Sequence, residues 1–261
     1  MHITGYIASL FIGISLGLIG GGGSILTVPV LVYLFGVSPV LATSYSLFIV
    51  GSTSLIGAFN SWRKNLVDFR TTLLFGISSI LTVFVIRKLI IPNIPEDIFI
   101  AGFHFKFSVL TMILFGVLML AASFSMLTNK VTEHHSNHKK NIGVLILYGT
   151  GIGLVTGFLG AGGGFLLIPA LVLLLHLHMK KAVGTSLLII ALNSLTGFAG
   201  DIGHHKTDWF FLLTVSAIAI AGIFIGGLFS KKIDGEKLRK VFGWFVLAMG
   251  IYIIIKETLL N

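Results

Sequence analysis

The residues best suited to chemistry are glycines. Gly20-Gly21-Gly22-Gly23, followed by Ser24, interrupts an apolar stretch, and Gly160-Ala161-Gly162-Gly163-Gly164 does the same later. Glycine costs about 1 kcal/mol relative to alanine inside a helix, so such runs break one. A break leaves backbone N–H groups unpaired. The helix that restarts after it points the positive end of its dipole at the same place. No acidic residue lies close to either run. The chemistry this suits is binding an anion. Close helix packing is the other use of small residues, but consecutive glycines exceed what packing needs.

A second set of polar groups follows each run. Ser46, Thr53 and Gly57 share one helical face, as do their counterparts Ser186, Asn193 and Gly197. Thr43, Ser44, Asn60 and Thr185 add further hydroxyl and amide groups. Such donors can replace part of an anion's hydration without a fixed charge. Their alternative use is hydrogen bonding between helices.

These groups need a scaffold, and composition says what kind. Of 261 residues, 55% are hydrophobic and 10% charged, against roughly 25% charged in soluble domains. With a mean hydropathy of +1.02, the chain is an integral membrane protein. It has no cysteine, which excludes disulfides and thiolate chemistry. The net charge of +9 lies between apolar runs, where it sets orientation; a nucleic-acid partner is not expected. The N-terminus has no basic stretch before its apolar run, so it reads as a retained first helix.

Ten apolar segments follow, at about 3–19, 24–36, 40–60, 68–91, 100–126, 142–160, 165–177, 180–200, 208–229 and 237–255. From its first segment through the start of its fourth, the second five repeat the first at an offset of 140, which pairs Pro29 with Pro169, Asp68 with Asp208 and Ser46 with Ser186. The chain therefore divides into a first repeat (1–127), a hydrophilic linker (128–141) and a second repeat (142–261). If each repeat crosses the membrane an odd number of times, 13 Lys and Arg fall on the linker's side. Five fall opposite: Arg87, Lys88, Lys106, Lys206 and Lys256. Four crossings per repeat give only 10 against 8. By the positive-inside rule the repeats are inverted, the linker is cytoplasmic and both termini lie outside. Whether each opening pair of segments (3–19 with 24–36, 142–160 with 165–177) makes two full crossings or one re-entrant hairpin leaves this parity unchanged.

The expected fold is thus all-α: a polytopic membrane protein of two inverted repeats with glycine-broken or re-entrant helices. Inverted repeats with broken helices place a substrate near the bilayer midplane. Asp68 and Asp208 each precede an apolar run and read as helix N-caps. His134, His135 and His138 in the linker and His204-His205 lack the spacing of a specific metal site, His176 and His178 read as interfacial, and no metal or cofactor is expected. No Asp or Glu lies centrally in an apolar segment, so a carboxylate proton relay is not expected.

The two glycine-rich breaks, each followed by Pro29 or Pro169, resemble the sulfite exporter TauE/SafE family. So do Ala182-Val183-Gly184-Thr185-Ser186 and the copy Ala42-Thr43-Ser44-Tyr45-Ser46. The resemblance covers nearly the whole chain. It implies an inner-membrane permease for sulfur-containing anions such as sulfite, sulfoacetate or related organosulfonates. The sequence thus predicts a small anion as substrate, bound by Gly20–Gly23, Ser24, Ser46, Thr53, Gly160, Ala161, Gly162–Gly164, Thr185, Ser186 and Asn193. The oligomeric state stays open. An anion channel is the competing reading; an enzyme would need a nucleophile with a base at depth, which the sequence does not offer.

Overall fold

The computed structural model describes residues 2–95, 97–100, 103–128, 142–160, 162–175, 177–204, 207–229 and 235–259. Helix α1 (His2–Ile19) ends where Gly20 turns to φ 79°, and a 3₁₀ stretch (Gly21–Leu26) leads into the short α2 (Thr27–Tyr33). Pro39 opens α3 (Pro39–Arg63), its fixed φ suiting a first helical position. Asp68 caps α4 (Phe69–Val85) by accepting from the Thr71 N–H at 3.0 Å; Asp208 accepts from the Phe211 N–H at the same distance. Both N-cap expectations hold. Helix α4 continues into a π turn, Ile86–Ile90.

The fifth segment starts later than expected. Instead of helix from residue 100, Asp97–Ile100 (β1) pairs antiparallel with Phe103–Lys106 (β2), and α5 spans Phe107–Thr128. Isoleucines and phenylalanines on both sides of Ala101-Gly102 favour a hairpin over a helix. In the second half come α6 (Ile142–Leu159), α7 (Gly164–Leu175), α8 (Met179–Asp201), α9 (Trp209–Phe229) and α10 (Gly235–Leu259). The linker histidines and His176 lie outside the described residues.

Each half packs mainly on the other. Helix α1 lies along α9, α4 along α6, α3 against α8 and α5 against α10. The contacts give directions. Gly57 meets Leu187, and Gly197 meets Leu47, so α3 and α8 run antiparallel. Gly13 packs on the Ala219 backbone and Gly17 on that of Ile223, so α1 and α9 are parallel. Gly153 repeats this contact with Ser79, its Cβ position lying 2.7 Å from the Ser79 carbonyl oxygen. Between α5 and α10, Ser123 Oγ donates to the Gly243 carbonyl at 2.8 Å.

After each glycine break the chain doubles back. Gly23 returns against α1, a Cβ there lying 2.8 Å from the Ile12 carbonyl oxygen. The Phe35 ring reaches Tyr6 near the start of α1, with centroids 5.3 Å apart. Gly163 likewise folds back on Ile152 and Thr156 of α6. At 1.5 Å per residue the 7-residue α2 and 12-residue α7 are about 10 and 18 Å long, short of a hydrocarbon core of about 30 Å. Neither spans alone. Five described helices are long and apolar enough to cross a membrane: α3, α4 with its π turn, α5, α8 and α9. Outward-facing residues such as Phe210 (83% exposed) and Leu228 (75%) form an apolar sheath that suits lipid and not water.

Candidate functional site: two broken helices that meet

The two breaks touch. Gly21 and Gly164 approach so closely that a Cβ on either would overlap the other's backbone. Gly162 (φ 67°) lies level with the middles of α3 and α8, its Cβ position 2.8 Å from Val50 Cγ1 and 3.1 Å from Ser194 Oγ. At one end Gly20 faces Val183 of α8, with Ser186 Oγ 3.4 Å from where its Cβ would be. At the other, Gly160 (φ 67°) packs on Thr43 of α3, with its Cβ position 2.6 Å from Thr43 Cβ. Positive φ is open to glycine at little steric cost, which is why both breaks are written with it. Because 20 pairs with 160 and 43 with 183 at the offset of 140, the two ends are built from the same contact with the halves exchanged.

The candidate side chains divide by whether they already have partners. Ser24 Oγ donates to the Gly21 carbonyl at 2.7 Å and Ser186 Oγ to that of Val183 at 2.8 Å, both within their own segments. Thr185 Oγ1 accepts from the Asp68 N–H at 3.0 Å. Asn193 Nδ2 donates to Ser79 Oγ at 2.6 Å, while its Oδ1 has no partner among the described residues. The buried hydroxyls of Ser46 and Thr53 also lack partners, as do Ser54 and Ser194 one helical step away. Buried hydroxyls are normally paired. Thr27, Thr71, Thr156 and Ser216 are unpaired too among the described residues; of all these, Ser194 of α8 and Thr156 of α6 lie directly against the second break, at Gly162 and Gly163, where a hydrogen-bond-accepting ligand would find donors. Gly22 and Gly23 lie in the 3₁₀ turn, Gly163 takes φ 65°, Ser44 is buried on α3, and Ala161 lies outside the described residues.

Two features were missed from sequence. Arg87, counted as a loop charge, is enclosed by protein (1% exposed) and pairs with Asp201 (7%): Nη1 donates to Asp201 Oδ2 at 2.9 Å and to Thr43 Oγ1 at 3.1 Å. Thr43 Oγ1 itself donates to the Val40 carbonyl at 2.7 Å. The available signal was position: Arg87 lies inside the apolar run to residue 91, and an ionisable residue there marks a functional candidate. Removing it from the charge count leaves 13 against four. The second feature is Glu257, buried on α10, which accepts from the Tyr33 hydroxyl at 2.9 Å while Lys256 Nζ lies 4.2 Å from the Tyr33 ring centroid. Among the described residues no group of three or more His, Cys, Asp or Glu is placed to hold a metal.

A lipid-facing helical bundle that buries two broken helices tip to tip has the build of a membrane permease. The family description Sulfite exporter TauE/SafE matches residues 6–253, and the chain belongs to that family. Similar proteins carry matching names. A "Probable membrane transporter protein" of Xylella fastidiosa (strain 9a5c) is 29% identical over 250 residues, covering 93% of this chain and 91% of the relative. The "Probable membrane transporter protein YunE" of Bacillus subtilis is 28% identical over 268 residues, covering 91% of each. A relative of the same description from Methanocaldococcus jannaschii is 24% identical over 263 residues, covering 95% and 94%. No solved structure matches the chain. The protein is a multi-pass membrane transporter of the TauE/SafE type.

Proposed function

We propose that the protein carries a small sulfur oxyanion, sulfite or an organosulfonate, across the plasma membrane by alternating access, without a chemical step. One observation carries this reading: the Gly21–Gly164 contact sets both breaks between α3 and α8, amid buried hydroxyls without partners. Unpaired donors, with two helices restarting nearby, suit an anion that must shed water. The sulfur chemistry rests on the family alone.

Inverted repeats are supported by the antiparallel α3 and α8, whose reciprocal contacts relate them by a two-fold axis across the helices. If α3 spans the bilayer, that axis lies in the membrane plane. Rocking one repeat against the other would then expose the site to each side in turn. The excess of Lys and Arg favours a cytoplasmic linker with both termini outside.

Sulfite flux in proteoliposomes tests the reading. Saturable flux that accelerates with substrate on the far side is expected of a carrier. Flux that rises linearly with concentration would make the protein a channel. No flux of sulfite, sulfoacetate or sulfate from correctly inserted protein would remove the substrate class.

A further inference from the structure

Arg87 is enclosed in the π turn Ile86–Ile90, against Gly200 of α8, whose Cβ position would lie 3.1 Å from Arg87 Cβ. π turns displace a helix face by one residue and are frequent at functional sites. A guanidinium has five N–H donors. The two bonds from Nη1, to Asp201 and Thr43, leave Nε and Nη2 without a partner among the described residues. Nε and Nη2 form one flat edge whose parallel N–H groups match two oxygens of a single oxyanion.

The duplication shows that the fold does not require this pair. At the offset of 140, Arg87 corresponds to Gly227, Asp201 to Ser61 and Thr43 to Val183. The register still holds there: Gly157 packs on Ile86, and its counterpart Gly17 lies 3.1 Å, from its Cβ position, to the Cα of Gly226. One end of the bundle is closed with a charged pair, and the related end is closed without one.

We propose that the Nε–Nη2 edge of Arg87 is an oxyanion-binding position at the Gly160 end of the transport site. Asp201 and Thr43 hold the opposite side of the guanidinium, so the protein itself balances its charge while the Nε–Nη2 edge is left for a ligand. Thr43 links it to the break, because the same residue that accepts from Arg87 packs on Gly160. This inference rests on the anion reading above and adds a named cationic contact confined to one end.

The test uses purified full-length protein, sulfite as probe, and two readouts. The chain has only four arginines, at 63, 70, 87 and 239. In ¹⁵N-arginine-labelled protein, the Nε–H resonance of Arg87, assigned by its loss in Arg87→Lys, should shift on adding millimolar sulfite. The paired variant Arg87→Gln/Asp201→Asn leaves no lone buried charge and should fold. Its apparent affinity for sulfite in flux should fall at least about 30-fold. Wild-type flux from that folded double variant, or flux in the wild type without a shift at Arg87, overturns the inference and leaves the transporter reading standing. A sulfite-dependent shift without flux supports the inference and removes the transport reading. If the double variant does not fold, the resonance alone decides.

Discussion

The backbone N–H of Asp68 donates to the Thr185 hydroxyl at 3.0 Å, joining the start of α4 to α8. The Asp208 N–H makes the related bond, at 2.9 Å, to the hydroxyl of Tyr45 on α3. Positions 45 and 185, like 68 and 208, are 140 apart, so the two bonds exchange halves. The pairing survived although one acceptor is a threonine and the other a tyrosine. A hydroxyl at this position is what the cap needs, at whatever reach the local packing demands.

Tyr45→Phe and Thr185→Val each remove one acceptor and should each destabilise the protein by about 0.5–1.5 kcal/mol. Thermal unfolding in detergent checks this. Equal costs would show that the two ends carry the load alike.

Asp68→Ala and Asp208→Ala should each cost about 0.5–2 kcal/mol through a lost cap, whereas Asp→Asn at either position should cost little. Flux per folded molecule should be unchanged in the Asn variants across pH. A flattened pH profile in Asp68→Asn would make that carboxylate a proton carrier instead.

Gly164→Ala places a methyl against the Gly21 backbone, where no flexible side chain can yield. Overpacking of this kind costs about 1–3 kcal/mol and pushes the breaks apart. Flux should be lost while the protein still inserts. Gly151→Ala on the exposed face of α6, with open space around it, is the control. It should gain up to about 1 kcal/mol in stability and keep its flux.

An electrical potential should drive an uncoupled anion carrier. At 100 mV each charge is worth about 2.3 kcal/mol, roughly a 50-fold concentration ratio at equilibrium. Sulfite loaded inside vesicles should leave faster with the interior negative. Indifference to potential would require a compensating cation to travel with it.

Much of this architecture is legible in the residues. Apolar runs bounded by Asp68, Pro39 and the glycines locate the helices, because lipid forces backbone bonds to close within each segment. The duplication is visible because glycine and proline matches at one offset reflect backbone geometry. The Arg87–Asp201 pair escaped because its partners are 114 residues apart and Arg87, beside Lys88, reads as one more charge that sets orientation. The π turn that seats Arg87 has no composition of its own. The hairpin at 97–106 escaped because its isoleucines and phenylalanines run on into the apolar sequence of α5, so that hydropathy marks no boundary between them.

Synthesis order gives the cross-packing a temporal side. Gly13 of α1 is translated 206 residues before Ala219, the residue it packs on. At about 5–20 residues per second, that is roughly 10–40 s. For that interval the first broken helix is in the bilayer without the partner that covers its glycine face. The first half therefore completes its packing only after the C-terminal helices of the same chain have been made.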